Sequence, residues 1–281
     1  MRWLVVASIL TACSTSDIRP RGIPSAPNDE NSNTGRDWLR RAFAAQGGKA
    51  ALHREPALRL QMRDPWLDSL ARMVASPWDE DGELVQLDLQ IGTDNARLTF
   101  LEGEHHGDVW GLQNWVTYRI EGESEPEFDD VGSPDGTQWF WLPTLAFFPL
   151  AAEQLQSATH VQFAGIRERG TRDHAVVYAT WNTLEPQDDI DQYVVWIDAE
   201  TERIRFIEYT VRDMSSSLSA TAAYENYELI GDFALPRRIT LLGDNGRPVH
   251  RITIEHAEFV ELGHDYFVPR PDLRSEKSAG R

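Results

Sequence analysis

Thr137–Leu155, TQWFWLPTLAFFPLAAEQL, is the greasiest internal stretch of this 281-residue chain. Trp139, Phe140, Trp141, Leu142, Leu145, Phe147, Phe148 and Leu150 crowd it, and two prolines keep it from being a plain strand. Pro143 and Pro149 bias Leu142 and Phe148 away from the α region and argue against one long helix. Ala146–Leu155 is left to form one or two turns. Segments that alternate like strands lie on both sides, so the stretch reads as a plug laid against a curved sheet. Two fates are open to its aromatics. Either they are ordinary core, or Trp139, Phe140, Trp141, Leu145, Phe147 and Phe148 line an apolar pocket.

Leu58, Leu60 and Met62 alternate with polar neighbours and predict a first strand. From Glu83 the period is again two: Val85, Leu87, Leu89 and Ile91 alternate with Gln86, Asp88 and Gln90, as in a half-buried strand. Gly92–Asn95 is a turn, residues 97–101 return, and 109–112 and 115–120 make another pair. Acidic Glu121–Gly136 reads as a loop. Beyond the plug, strands are expected at 161–166, 175–181, 193–197, 203–212, 219–229, 235–242 and 249–262, punctuated by acidic or glycine-bearing turns. That spacing signals one antiparallel sheet, and nothing alternates β with long helices as a parallel α/β fold requires. A sheet of about ten twisted strands curls or closes. The expected fold is mainly β (α+β): a curved antiparallel sheet forming a half-open β-barrel, with an N-terminal helix and a helical, aromatic lid in its concave face.

The front of the chain reads differently. Met1–Ala12, MRWLVVASILTA, has one Arg, an apolar run and small residues. It is too short to span a bilayer and has the layout of an export signal. Leu10-Thr11-Ala12-Cys13 resembles the lipobox of bacterial lipoproteins, and Cys13 is the chain's one cysteine. The resemblance implies a lipidated Cys13 anchoring the protein in the outer membrane, facing the periplasm, with Ser14 next to it. Residues 13–35 are rich in Ser, Pro, Asn and Asp and read as the lipidated cysteine and a disordered tether. Arg36–Gln46 is an amphipathic helix with Trp38, Leu39, Ala42 and Phe43 on one face, stopped by Gly47-Gly48. One domain is expected over 36–269, and 270–281 as a disordered tail.

Tyr193-Val-Val-Trp196-Ile197-Asp198-x-x-Thr201 and its outgoing strand resemble a strand–turn–strand of the periplasmic lipoprotein carrier and its relatives, the LolA/LolB-like superfamily. Tyr224–Leu229, Gly231, Leu235-Pro236, Asp244–Gly246 and Ile252–Phe259 resemble the same superfamily's closing meander. The initial helix ending at Gly47-Gly48 is similar to the start of such proteins. The resemblance covers roughly Arg36–Pro269, with a bulky insert between Trp115 and Val161. It implies an unclosed barrel with a helical lid and an apolar cavity for acyl chains. No functional residue carries over by position.

Forty-five acidic residues against 27 basic ones give a formal net charge of −18, which argues against nucleic acid as a partner. His105-His106 and the pair His250 and His256 are the candidate metal ligands. Adjacent strand residues face opposite ways, and His250 and His256 stand about 20 Å apart at ~3.3 Å per residue, so solvated or satisfied histidines are expected and no metal or cofactor. No G-x-S-x-G, HExxH, P-loop or G-x-G-x-x-G is present, and the Ser215–Ser217 run has no visible base. The sequence therefore points to a binding protein rather than an enzyme: an outer-membrane lipoprotein taking an acyl chain, lipid or other apolar ligand. A rival reading is a protein-interaction module of the cell envelope. It would dock its partner through the acidic sheet surface and the segment bracketed by Trp66 and Trp78, where Leu67, Leu70, Ala71 and Val74 have helical spacing.

Overall fold

The computed structural model describes residues 15–23, 26–129 and 136–274. The export signal at 1–12 and Cys13 lie outside the described residues, as does 275–281 of the expected tail.

Among the described residues the alternating segments form thirteen strands: β1 (Ala57–Arg63), β2 (Val85–Gln90), β3 (Ala96–Phe100), β4 (Val109–Gln113), β5 (Val116–Ile120), β6 (Glu127–Phe128), β7 (His160–Arg169), β8 (Arg172–Thr180), β9 (Gln192–Asp198), β10 (Ile204–Thr210), β11 (Ser219–Ile230), β12 (Phe233–Leu242) and β13 (Pro248–Val260). They make one sheet in the order β6-β5-β4-β3-β2-β1-β13-β12-β11-β10-β9-β8-β7. Every recorded pairing is antiparallel. The two edges, β6 and β7, are neighbours in sequence, so the aromatic insert between them bridges the seam of a curved sheet that stays open. Of these strands only the two-residue β6 falls inside the stretch expected to be loop; it pairs Tyr118 with Phe128.

Alternation puts one side of most strands in one large apolar core. Leu58, Leu60 and Met62 of β1, Leu87 of β2 and Leu98 of β3 are fully buried in it. Gly111 on β4 leaves room for the ring of Tyr118 across the ladder: a Cβ there would lie 1.9 Å from the ring. In β13 the register slips opposite Gln61 and Met62, which pair with His256 and Ile254. That bulge turns His256 out to solvent while Ala257 faces in, breaking the parity that would have put His256 on the same face as His250.

The N-terminal helix corrects one boundary. Helix α1 spans Asp29–Ala45 and begins seven residues before the expected Arg36. Asn28 caps it, its side chain accepting from the Asn31 N–H at 3.0 Å, and Asp29 and Glu30 favour the positive end of the helix. Gly35, Leu39 and Ala42 are its buried face. Gly35 lets the helix approach β7 closely, a Cβ there meeting Val161 at 2.9 Å. Gly47 ends the helix at φ +109°, and the carbonyl of Asp232 occupies the space any side chain would need. Helix α2 (Gly48–Leu52) follows at once.

The tether reading fails on Thr15–Ile23 for a physical reason. Strand β8 is buried along most of its length. Ala175, Val177 and Ala179 face the core, and Val176 and Tyr178 face the other way. Ile18 and Ile23 cover that outer pair together with Leu184 and Val194, while Arg19 pairs with Asp17 at 2.7 Å and Glu185 at 3.0 Å. The tail boundary moves as well. Beyond Pro269 the Arg270 N–H donates to buried Gln113 at 3.0 Å, and the Gln113 amide donates to the carbonyls of Arg270 and Leu273.

Candidate functional site

The aromatic stretch is more helical than its prolines suggest. Between β1 and β2 lies α3 (Ser69–Ala75), and the stretch itself forms α4 (Thr137–Phe147) and α5 (Ala151–Gln154), followed by a 3-10 turn at Leu155–Ser157; α6 is His264–Phe267. Pro143 sits inside α4. It brings no N–H for the carbonyl one turn back, while the Thr144 hydroxyl donates to the Phe140 carbonyl at 2.7 Å. Pro149 is the proline that does separate two helices.

Helix α4 is apolar all round because it has two apolar neighbours. Leu142 and Leu145 are buried in the core, and the helix packs over β3, β4 and β5. Its other side borders a cavity of about 780 Å³, within the roughly 300–1,000 Å³ range of small-molecule sites. Of the six residues expected to line a pocket, Trp139, Phe140, Trp141, Phe147 and Phe148 lie on its wall, and Leu145 does not. Core and pocket are not alternatives here. Trp141 and Phe148 are buried and Phe140 and Phe147 half-buried, so the same residues serve the core and the wall.

Other elements complete the wall. The β4–β5 turn holds Asn114 and Trp115 at φ +47° and +63°, a left-handed geometry that non-glycine residues adopt at a cost. There the Trp115 indole donates to Asp94 at 3.1 Å and its ring meets Trp139 at 6.3 Å. Phe147 packs on Tyr193, and Phe148 meets Tyr209 edge-on at 5.5 Å.

The most organised polar group on the wall is His250. Its Nδ1 lies 2.6 Å from Asp64 Oδ1, and Asp64 Oδ2 accepts the Trp78 indole N–H at 3.0 Å. The imidazole stacks on Trp66 at 4.5 Å and meets Trp141 at 5.7 Å. Trp66 and Trp78 are therefore buried, at 7% and 6% exposed, and are not docking aromatics. The same segment instead exposes Leu67, Leu70, Met73 and Val74.

Asp191, just before β9, also lines the cavity. Burial raises its pKa, and the charge of Asp213 adds to that; hydrogen bonds from Arg212 N–H and the Thr210 hydroxyl, both 2.9 Å, oppose it. Burial also raises the phenol of Tyr209, next to the charges of Asp191 and Asp64. His250, Tyr209, Asp191, Trp66 and Trp115 carry no local motif. They converge because the sheet curls, and the visible signal is only that each sits at a strand end or turn.

His105 is engaged through both ring nitrogens, with Asp108 at 3.1 Å and Asp79 at 2.8 Å, and these carboxylates raise its pKa. Among the described residues no group of three or more His, Cys, Asp or Glu is placed to hold a metal ion, and no helix is long and apolar enough to cross a membrane.

No protein-family model matches the chain, and no curated protein matches its sequence. Solved structures do match its shape. A LolA superfamily protein from Nitrosomonas europaea is 15% identical with a TM-score of 0.52, over 83% of this chain and 96% of that one. An outer membrane lipoprotein-sorting protein domain from Vibrio parahaemolyticus is 12% identical with a TM-score of 0.56, over 86% and 99%. A DUF1329 family protein from Desulfovibrio piger is 10% identical with a TM-score of 0.55, over 84% and 97%. At these identities the likeness concerns the fold. With its curved, open thirteen-stranded sheet and helices in the concave face, the chain has the LolA-like fold.

Proposed function

We propose that this chain is a lipid-anchored outer-membrane lipoprotein, facing the periplasm, whose barrel binds an acyl chain or another apolar ligand without catalysing a reaction on it. The observation that carries the reading is the cavity between α4 and the sheet: about 780 Å³, with ten aromatic side chains on its wall among the described residues. Burying an aromatic is worth roughly 1.5–3 kcal/mol, so a wall of this kind gains from an apolar occupant. The shared fold with a domain named for outer membrane lipoprotein sorting and the lipobox-like Leu10–Cys13 support an envelope setting.

The test uses the full chain expressed with its leader in a Gram-negative host. Fractionation and intact mass are expected to place it in the outer membrane with acyl chains on Cys13, and Cys13→Ser is expected to release it. Native mass spectrometry of the Cys13→Ser chain, purified without detergent, is expected to show a bound lipid or fatty acid that organic extraction removes. A ligand-free mass together with no uptake of a fluorescent fatty acid or fatty alcohol would overturn the ligand reading. In that case the exposed Leu70, Met73 and Val74 of α3 would point to a protein-docking module.

A further inference from the structure

The charge on the cavity wall is one-sided. Among the described residues five aspartates line it, Asp94, Asp189, Asp191, Asp213 and Asp244, with no Lys or Arg. Asp189 and Asp191 precede β9, Asp213 follows β10 and Asp244 follows β12. The antiparallel order brings these three positions to one end of the barrel, where β1 also delivers Asp64 and β13 begins with His250 near its start. An acidic head group there would face several carboxylates, against which the one cation acting on Asp191 is Arg212, off the wall.

Three acceptors at this end stand without a protein partner among the described residues. Asp191 uses only Oδ1 for Thr210 and Arg212, which leaves Oδ2. The Tyr209 hydroxyl is the second. The third is His250, an independent observation because it is 6% exposed and yet borders the cavity. Asp64 faces both Nδ1 and the Trp78 indole N–H as an acceptor, so Nδ1 carries a proton and Nε2 is the ring atom left without a protein partner, an acceptor in the tautomer protonated at Nδ1 alone. Arg212, whose charge reaches Asp191, donates its guanidinium N–H groups to the carbonyls of Ser16 and Ser216 and does not line the cavity. Aromatic faces attract the same kind of group that these acceptors do, since an ammonium is drawn to the ring quadrupole.

We propose that the end of the cavity around Asp191, Tyr209 and His250 receives the protonated amine head of an amphiphile, with its chain along Phe140, Trp141 and Phe147. The assignment rests on the apolar-ligand reading above and adds the chemical class of the head. It selects amine-bearing amphiphiles over fatty acids, which the aspartates repel, and over alcohols, which leave them unused.

The experiment is displacement of a neutral solvatochromic fluorophore from the Cys13→Ser full chain by dodecylamine, dodecanol, dodecanoate and spermidine at pH 7. Dodecylamine is expected to displace it at a concentration about tenfold lower than dodecanol, with dodecanoate weakest and spermidine without effect. Asp213→Asn, an exposed position, and Asp191→Asn are each expected to shrink the ratio between amine and alcohol. Equal potency of amine and alcohol overturns the assignment and leaves the apolar cavity standing. Displacement by spermidine as effective as by dodecylamine overturns the amphiphile part. If the fluorophore never binds and no amphiphile quenches the cavity tryptophans, the apolar-ligand reading itself falls.

Discussion

His250 and Asp64 form a buried pair, Nδ1 to Oδ1 at 2.6 Å, at 6% and 2% exposure. The pair ties β13 to the chain just beyond β1, and through Trp78 it also ties down the segment that carries α3. It further fixes the imidazole between Trp66 and Trp141, so that one side of the cavity is positioned by a carboxylate that does not itself line it.

Asp64→Ala removes the acceptor for both the Trp78 indole and His250. A buried donor left unpaired costs about 1–3 kcal/mol, so two such losses are expected to lower the urea midpoint sharply. Asp64→Asn keeps one carbonyl oxygen and is expected to lose about half as much. Equal midpoints for the wild type and Asp64→Ala would mean that water replaces the carboxylate and the pair does not hold the segment.

Most of the sheet was legible because the strands report themselves by period two, and β1, β2 and the long β11–β13 meander fall where the alternation puts them. What escaped reading depended on partners far away in sequence. Asp29–Thr34 is polar enough to pass for linker, and it is helix because Gly35 and Leu39 find β7. Thr15–Ile23 is pinned because β8 has apolar residues on both faces and needs a cover. Pro143 was expected to stop a helix, yet packing against β3–β5 holds α4 through it. In the cavity, the residues from one contiguous stretch were visible as a cluster. Tyr209, Asp191 and His250 come from separate strands and meet only through curvature.

Phe147 and Phe148 both line the cavity but differ in how deeply they are buried. Phe147 is half-buried on the cavity wall and packs on Tyr193, whereas Phe148 is 2% exposed. Phe147→Asp puts a charge into the cavity and is expected to weaken fatty-alcohol uptake at least tenfold, about 1.4 kcal/mol or more, in a chain that still melts cooperatively. Phe148→Asp buries an unpaired charge and is expected to prevent folding, as seen by circular dichroism. Undiminished uptake by a folded Phe147→Asp chain would place the ligand elsewhere.

Asp198 should make stability fall at low pH. Burial opposes its charge, but hydrogen bonds from Thr201 N–H at 2.8 Å and Glu200 N–H at 3.1 Å, with Arg172 at 2.8 Å, lower its pKa from 3.8 to about 2. A carboxylate with a lower pKa folded than unfolded stabilises fully above the unfolded value, and that contribution is lost as pH falls through the folded one. The urea midpoint is therefore expected to decline between about pH 4 and pH 2. Asp198→Asn is expected to start lower at pH 7 and to flatten that decline. An unchanged slope in the variant would assign the acid sensitivity to other carboxylates.

Arg212 is the clasp of the N-terminal arm. It is 6% exposed, its guanidinium donates to the carbonyls of Ser16 and Ser216, and Ser16 N–H donates to Ser216 at 2.8 Å. Arg212→Ala removes the clasp and leaves Ile18 and Ile23 alone to hold the arm over Val176 and Tyr178. Trypsin is expected to cut after Arg21 several-fold faster in the variant, with a stability loss of about 1–3 kcal/mol. An unchanged cleavage rate would mean that the two isoleucines suffice. The arm also bears on the proposed anchor. Thr15 is two residues from Cys13, at most about 7 Å of extended chain, so an acylated Cys13 would hold the 211–218 loop, with Met214 and Leu218 at the cavity edge, close to the lipid surface. Releasing the clasp would let the anchored body swing away, and a fluorophore on Met214→Cys is expected to lose its quenching by lipid-borne quenchers in Arg212→Ala. Quenching that persists would mean the body stays against the membrane by contacts other than the arm.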